Sequence, residues 1–381
     1  MHDVIIAGAG PVGTLLQAEL ARLGVEATVL ERRAQPGPGS RAVGVHPAAL
    51  DALEASGATA RILSSALRVL RGEARAARPL GLVRFDRLDA RHPYVATLPQ
   101  SRTEDALAGT AASWGASAVV RGCTVEGVRG GPEAVRLRLR RGDVTTEERA
   151  RIVVVATGSA GRAITPLAAS TRIRAYPDRY VMTDAPDATG EGTTAVVHLH
   201  PEGVLESFPL PDGMRRFVAW RSPADAEAEP AAWLRDAITR RTGSADAAAA
   251  VTAAAAFGVR RALVPRMRWG RVVAIGDAAH EVSPIGGQGM NLGLIDAATL
   301  APLLASWIVT GEEPAGELRE WDRRRRRAAA ISARIATANT VIGRAAGPVA
   351  HRARTAALRG ILHSPAGNML ARAYSMGLDP G

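Results

Sequence analysis

Near its start the chain carries Gly8-Ala9-Gly10-Pro11-Val12-Gly13, three glycines in the spacing GxGxxG. The run Asp3 to Ala7 precedes it and a helix-forming segment follows. Each glycine has its own use at such a turn. The first permits a tight bend, the second lets the backbone approach a pyrophosphate, and the third lets the helix lie close on a sheet. The helix N-terminus then turns unpaired N–H groups and partial positive charge toward the phosphates. Glu31 ends the next apolar run, 23 residues after Gly8, where a carboxylate accepts hydrogen bonds from a ribose. The combination points to a bound dinucleotide, with Pro11, Val12 and Arg32 among its contacts.

A second glycine-rich stretch begins where the apolar run Val272 to Ile275 ends. It reads Gly276-Asp277-Ala278-Ala279-His280-Glu281-Val282-Ser283-Pro284-Ile285-Gly286-Gly287-Gln288-Gly289-Met290-Asn291-Leu292-Gly293. A carboxylate, Asp277, follows the run at once, and a proline-containing loop leads into a helix start. Bare backbone can lie along a flat ring, and a helix N-terminus stabilises negative charge on it. A helix cap alone does not require so many small residues together. His280 is the candidate general base in this loop, with a structural contact as the competing reading.

These loops need a sheet to hold them. Residues 3–7 and Val25 to Leu30 read as strands around a helix closed by Gly24, a βαβ start that implies a parallel sheet. Ala118 to Val120, Val135 to Leu139 and Ile152 to Ala156 read as further strands. Pro47 to Ser56, Arg102 to Trp114 and most of the chain from Gln288 onward read as helical. Between Thr171 and Trp220 the apolar runs are short and separated by turn residues, which predicts an antiparallel sheet. Residues 229–256 read as helical. The expected fold is α/β. A Rossmann-like dinucleotide-binding domain is discontinuous over 1–66, 96–168 and 258–345. An inserted antiparallel β-sheet substrate domain covers 67–95 and 169–257, and a helical C-terminal segment covers 346–381.

Together these motifs resemble those of the aromatic-hydroxylase family of FAD monooxygenases, the para-hydroxybenzoate hydroxylase-like group. The resemblance covers most of the chain. It implies that Asp277 holds the FAD ribityl chain, that Pro284 lies beside the isoalloxazine, and that Gly286 to Asn291 wraps its pyrimidine edge. Two shorter features agree. Arg41, between Ser40 and Ala42, matches an arginine that contacts FAD, and Gln100, after Pro99, matches a glutamine at a helix start. The implied activity is hydroxylation of an aromatic or polyketide-like small molecule with NAD(P)H and O2, through a flavin hydroperoxide. Phe208, Pro209, Phe217 and Trp220 are candidate substrate contacts on the expected sheet, with core packing as the competing reading.

One feature departs from that family. Its mid-chain Asp-Gly motif, linked to FAD and NADPH, here reads Thr157-Gly158, with Gly161 and Ile164 where a Ser and an Arg are usual. Two alternatives follow: a related FAD-dependent reductase, or a monooxygenase fed reduced flavin by a partner reductase.

Composition narrows the field. All 48 basic residues are Arg, and the net charge is +11. The densest run, Arg323 to Arg327, lies in a helical stretch without a helix-turn-helix, zinc or aromatic-basic signature, so no nucleic-acid role is expected. Absence of Lys removes mechanisms that need a lysine amine, Schiff-base chemistry among them, and counts against the flavin halogenases and amine oxidases that use a lysine near the flavin. Cys123 is the only cysteine, so no intramolecular disulfide or cysteine metal cluster forms, and no metal site is expected. No signal-peptide pattern opens the chain, and Ala247 to Phe257 is too short and weakly apolar to span a bilayer. The expectation is a cytoplasmic monomer or homodimer acting on a small molecule, away from membranes.

Overall fold

The computed structural model describes residues 1–35, 37, 42–165 and 170–376. Strand β1 (His2–Ala7) is buried from Val4 onward. Helix α1 (Pro11–Arg22) starts on a proline, whose fixed φ suits the first turn and whose missing N–H would be unpaired there. It stops before Gly24, at φ 75°, and β2 (Ala27–Glu31) returns parallel to β1. Next come β3 (Gly44–Val45), α2 (Pro47–Ala52), α3 (Ala58–Leu63), β4 (Leu67–Val69), β5 (Arg71–Arg75), β6 (Pro79–Arg84) and β7 (Val95–Thr97). Helix α4 (Gln100–Ser113) leads to β8 (Val120–Arg121), β9 (Thr124–Gly130), β10 (Val135–Arg141) and β11 (Val144–Val155). The middle of the chain forms β12 (Arg172–Pro186), β13 (Ala195–His200), β14 (Gly203–Leu210), β15 (Met214–Arg221), α5 (Pro230–Thr242), α6 (Ala245–Ala249) and β16 (Ala255–Leu263). The remainder is β17 (Arg268–Trp269), β18 (Val272–Ala274), β19 (His280–Glu281), then α7 (Gln288–Thr310), α8 (Ala315–Ile342), α9 (Pro348–Leu362) and α10 (Ala366–Tyr374).

The first sheet runs β17-β18-β11-β1-β2-β8, with β9 and β10 paired antiparallel beyond β11. Strands β18, β11, β1, β2 and β8 are parallel. Register puts Ala7 level with Leu30 and Val155, and Val155 level with Ala274. The loops after four strands therefore open at one edge, the carboxyl edge where α/β sheets take ligands. Helices α1, α7 and α8 join this sheet in one core that includes Leu15, Leu16, Leu292, Leu300 and Trp321. Helix α7 is long and apolar enough to cross a membrane, with a mean hydropathy of 1.8, but 61% of that window is buried inside the fold. The core accounts for its apolar composition.

The second sheet runs β19-β16-β12-β15-β14-β13-β5-β6, antiparallel except for the β13–β5 pair. One face packs on α5 and α6 through Phe217, Ala219, Leu234 and Ile238. The other carries Leu199, Val204, Val218 and Phe257. Strands β3, β7 and β4 make a small third sheet.

Two expectations are corrected. Residues 229–256 are not helical throughout: helix ends at Ala249, and Ala255 and Ala256 pair in β16 with Met182 and Val181. Alanine favours helix, but by well under 1 kcal/mol per residue, and sheet pairing outweighs it. The antiparallel sheet also does not stop at residue 257, since β16 runs through it to Leu263 and β19 adds His280 and Glu281.

Candidate active site

The three N-terminal glycines have separate physical reasons. Gly8 sits at φ 106°, and a Cβ there would lie 2.5 Å from the Ala156 carbonyl oxygen. A Cβ on Gly13 would lie 2.0 Å from the Gly8 carbonyl oxygen, so this glycine lets α1 seat against the turn. Gly10 has an ordinary extended backbone, and a Cβ there would meet nothing within 4 Å. The protein itself gives no reason for a glycine at that position. A molecule drawn close to the backbone does. The first turn of α1 carries no acidic residue, and no side chain caps it.

Glu31 braces this turn. Its carboxylate accepts hydrogen bonds from the Ala9 N–H at 3.0 Å, the Arg33 N–H at 2.9 Å and the Arg33 Nε at 3.0 Å. Burial opposes its charge, but these backbone bonds and the Arg33 guanidinium hold the carboxyl below its ordinary range. A carboxylate has about four acceptor positions, so one is left for a ribose hydroxyl.

The second loop is built against the first. A Cβ on Gly293 would fall 2.5 Å from Val12 Cγ2, so α7 and the start of α1 meet through this glycine. Asn291 is fully buried. Its Oδ1 accepts from the His46 N–H at 2.8 Å, and its Nδ2 donates to the Gly44 and Gly287 carbonyls at 2.9 and 2.8 Å. Gln288 is buried too, and its Nε2 donates to the Ala373 carbonyl at 3.0 Å. Behind the loop lies a charge cluster. Asp296 accepts from the Gly276 N–H at 3.0 Å, from His280 Nε2 at 2.5 Å and from Arg325 Nε at 2.8 Å. Burial opposes the Asp296 charge, yet His280 and Arg325 hold its carboxyl down to about 2. Burial likewise opposes the His280 charge, and Asp296 outweighs it and raises the imidazole.

Both loops face one cavity of about 970 Å³. Gly8, Gly10, Pro11 and Val12 line it, with Glu31, Arg32 and Gln100. Gly276, Asp277, Pro284, Gly286, Gly287, Gly289 and Met290 line it from the other loop. Gly13, Gln288 and Asn291 stand behind the wall and shape it. His280 does not face the cavity. It is 2% exposed and ion-paired with Asp296, which is the position of a brace, not of a base acting on a bound molecule. Arg41 lies outside the described residues. Among those residues no cluster of metal ligands occurs.

The second sheet forms a further wall of the cavity. Side chains alternate between the faces of a strand, and the cavity receives Val204, Glu206 and Phe208 from β14 and Arg216 and Val218 from β15. Of the four candidate substrate contacts, Phe208 is on this wall. Phe217 has the opposite parity and packs under α5 and α6. Trp220 is buried beside the wall with its indole N–H on Asp178 at 2.9 Å, and Pro209 is also outside the lining. Both faces of this sheet are covered, so apolar residues of either parity look alike in sequence. Sequence reasoning missed Glu206, His46, Asn339 and Tyr374, all in the lining. Only Glu206 carried a signal: a carboxylate at the centre of an otherwise apolar alternating face.

The residues present fit FAD. The Thr157 hydroxyl and His46 Nδ1 are buried without a hydrogen-bond partner, and both residues line the cavity at these loops. Burial pushes the His46 imidazole down to about 4, so it is a neutral donor or acceptor. Space at Gly10, the uncapped start of α1, the spare acceptor position of Glu31 and two orphaned polar groups together match a pyrophosphate, a ribose and a polar ring edge.

The FAD binding domain family model matches residues 1–335. A 12-dehydrotetracycline 5-monooxygenase/anhydrotetracycline 6-monooxygenase of Streptomyces rimosus subsp. rimosus is 32% identical over 361 residues, covering 90% of this chain and 70% of that protein. A rifampicin monooxygenase of Streptomyces venezuelae is 31% identical over 329 residues, covering 84% and 67%. Across the first three curated relatives, the chain spans 62% to 70% of their length. Among solved structures, the OxyS anhydrotetracycline hydroxylase from Streptomyces rimosus superposes with a TM-score of 0.78 at 29% identity, over 98% of this chain and 75% of that one. A p-nitrophenol 4-monooxygenase from Pseudomonas putida shares the fold, with a TM-score of 0.87 at 22% identity over 100% and 99% of the two chains.

Proposed function

The chain belongs to the FAD binding domain family, and from that premise we propose that it is a monooxygenase hydroxylating an aromatic or polyketide-like small molecule with NAD(P)H and O2. The observation that carries this reading is the single cavity shared by two glycine-rich loops and an apolar sheet face. FAD, when bound, supplies the redox chemistry, accepting electrons from a nicotinamide and passing them to O2 so that one oxygen atom enters the substrate.

The protein's own residues bind, orient and exclude water. The start of α1 and the space at Gly10 would hold the pyrophosphate, with partial positive charge from the helix end. Glu31 would take a ribose hydroxyl, and Asp277 the ribityl chain. The loop from Pro284 to Met290 would lie against the ring, with the N-terminus of α7 favouring negative charge there. We assign the antiparallel sheet the role of substrate wall. Val197, Leu199, Val204 and Val218 make that wall apolar, and Leu358 and Leu362 of α9 and Tyr374 of α10 cover it. A dry wall keeps reactive intermediates from solvent.

The relatives' activities on 12-dehydrotetracycline, anhydrotetracycline and rifampicin favour a large polycyclic or macrocyclic substrate. NAD(P)H oxidation by the FAD-loaded protein, followed against a panel of phenols and polyketides, tests this. At least one compound is expected to accelerate oxidation roughly tenfold or more, with one oxygen atom from O2 found in the product. Alkene reduction without O2 uptake would overturn the reading. The altered Thr157-Gly158 motif supports a second one. FAD that stays oxidised with either nicotinamide, yet hydroxylates once reduced flavin is supplied, would establish a partner reductase.

A further inference from the structure

Glu206 stands alone in the substrate wall. It lies on β14 between Val204 and Phe208, which share its face, and it pairs across the sheet with Val197 on β13 and Val218 on β15. All five line the cavity. Glu206 is 8% exposed, and among the described residues no hydrogen bond or ion pair reaches its carboxylate. An isolated buried carboxyl costs several kcal/mol unless something meets it.

Among the described residues its surroundings offer no counter-charge. Its own charge reaches Tyr180 of β12 and Tyr374 of α10. Burial raises both phenols, and the Glu206 charge adds to the rise, so both stay neutral. The arginines on this side of the cavity are occupied. Arg216 forms a bidentate pair with Asp184 at 2.6 and 2.7 Å, and Arg260 lies 3.3 Å from Glu281. Burial alone drives the Glu206 carboxyl up to about 7. It is protonated below that pH and ionised above it.

Glu206, Gly286 of the ring-binding loop and Tyr374 line the same cavity. A Cβ on Gly286 would lie 3.8 Å from the Tyr374 ring, and the Tyr374 phenol feels the Glu206 charge.

We propose that Glu206 is a catalytic base that receives a phenolic hydroxyl of the substrate and takes its proton. This rests on the monooxygenase reading above. The O–H bond breaks, its electron pair stays on the phenol oxygen, and the proton goes to the carboxylate. The phenolate pushes electron density into its ring, and the ortho and para carbons become better acceptors of the oxygen atom that O2 provides. As the new C–O bond forms, the O–O bond breaks and the second oxygen atom leaves as water, reduced by the two electrons of NAD(P)H; the ring carbon then loses its hydrogen as a proton and aromaticity returns. Glu206 releases its own proton to solvent before the next turnover. A base titrating near the working pH is well matched to this transfer. The lone negative charge also selects against substrates bearing a carboxylate, which would need an arginine that Arg216 and Arg260 do not supply.

Binding to the oxidised, FAD-loaded protein without nicotinamide tests this apart from turnover. The probes are 2-naphthol, neutral in solution over the range used, and its methyl ether. Affinity for naphthol is expected to tighten about tenfold between roughly pH 6 and pH 8.5, as Glu206 ionises. The methyl ether should bind with no such trend. Glu206→Gln should still bind FAD and naphthol, but with flat pH dependence, and should lose the rising limb of kcat/KM around pH 7. A flat wild-type profile, a pH trend that survives in Glu206→Gln, or failure of holoenzyme to bind either probe overturns the assignment. A purified chain that takes up no FAD overturns the monooxygenase reading instead.

Discussion

Replacing Asp296 with alanine is expected to cost about 3–5 kcal/mol and to strip the protein of its cofactor. Asp296 is fully buried in α7 and serves three partners at once: the Gly276 N–H, His280 and Arg325. Its loss leaves the Arg325 guanidinium, with a side chain only 4% exposed, without its central counter-charge. Gly276, at the head of the second loop, loses the acceptor that fixes its backbone. A fall in Tm on the order of 5–10 °C, read by calorimetry, should accompany loss of bound flavin. Asp296→Asn should do less harm, because shape and one acceptor remain. Acid should mimic the lesion. Asp296 is held down to about 2, well below its ordinary value of 3.8, so its stabilisation is present above the ordinary value and is lost as pH falls from there through about 2. His280 runs the other way. Its raised pKa adds stability below the ordinary 6.5 that is lost as pH rises through the folded value. An Asp296→Ala protein with wild-type Tm and full flavin content would show that the cluster braces nothing.

Gly10→Ala is expected to weaken FAD binding roughly 100-fold while leaving the apo fold stable to within about 1 kcal/mol. The contrast with its neighbours is what makes this informative. A methyl at Gly8 or Gly13 collides with backbone at 2.5 or 2.0 Å, so those substitutions damage the fold itself. A methyl at Gly10 meets nothing within 4 Å, and its φ of −77° suits alanine. Any penalty must come from the ligand. Fluorescence titration of apo protein with FAD, beside thermal melts of the same samples, separates the two effects. Equal FAD affinity in Gly10→Ala and wild type would mean that no pyrophosphate approaches this backbone.

The cofactor half of the site is legible in the sequence because its logic is local. Strand, glycine turn and helix follow one another within residues 2 to 22, and the same holds from Val272 to Thr310. Backbone geometry, not side-chain identity, is the requirement, and glycine spacing records it directly. The substrate half is not local. Its wall comes from β12 to β16 and is covered by Leu358, Leu362 and Tyr374, which lie more than a hundred residues further on than β15. Parity also misled. Phe217 is a conspicuous apolar residue of β15, but the cavity receives its neighbours Arg216 and Val218, and Trp220, though on their face, is held beside the wall by Asp178. A sheet covered on both faces has no polar side to mark which parity is inward. His280 looked like a base because it sits in the loop. Its partner Asp296, 16 residues further on and itself held by Arg325, turns it inward to the core.

The central claim is that two separated loops form one FAD site. Reconstitution of apo protein with FAD, read as flavin per folded chain, tests it most directly. The expected result is about one FAD per chain, bound tightly by wild type and lost from both Gly10→Ala and Asp296→Ala, whose changes lie in different loops. A folded wild-type chain that takes up no FAD, or that binds it equally well with either loop altered, would contradict the account.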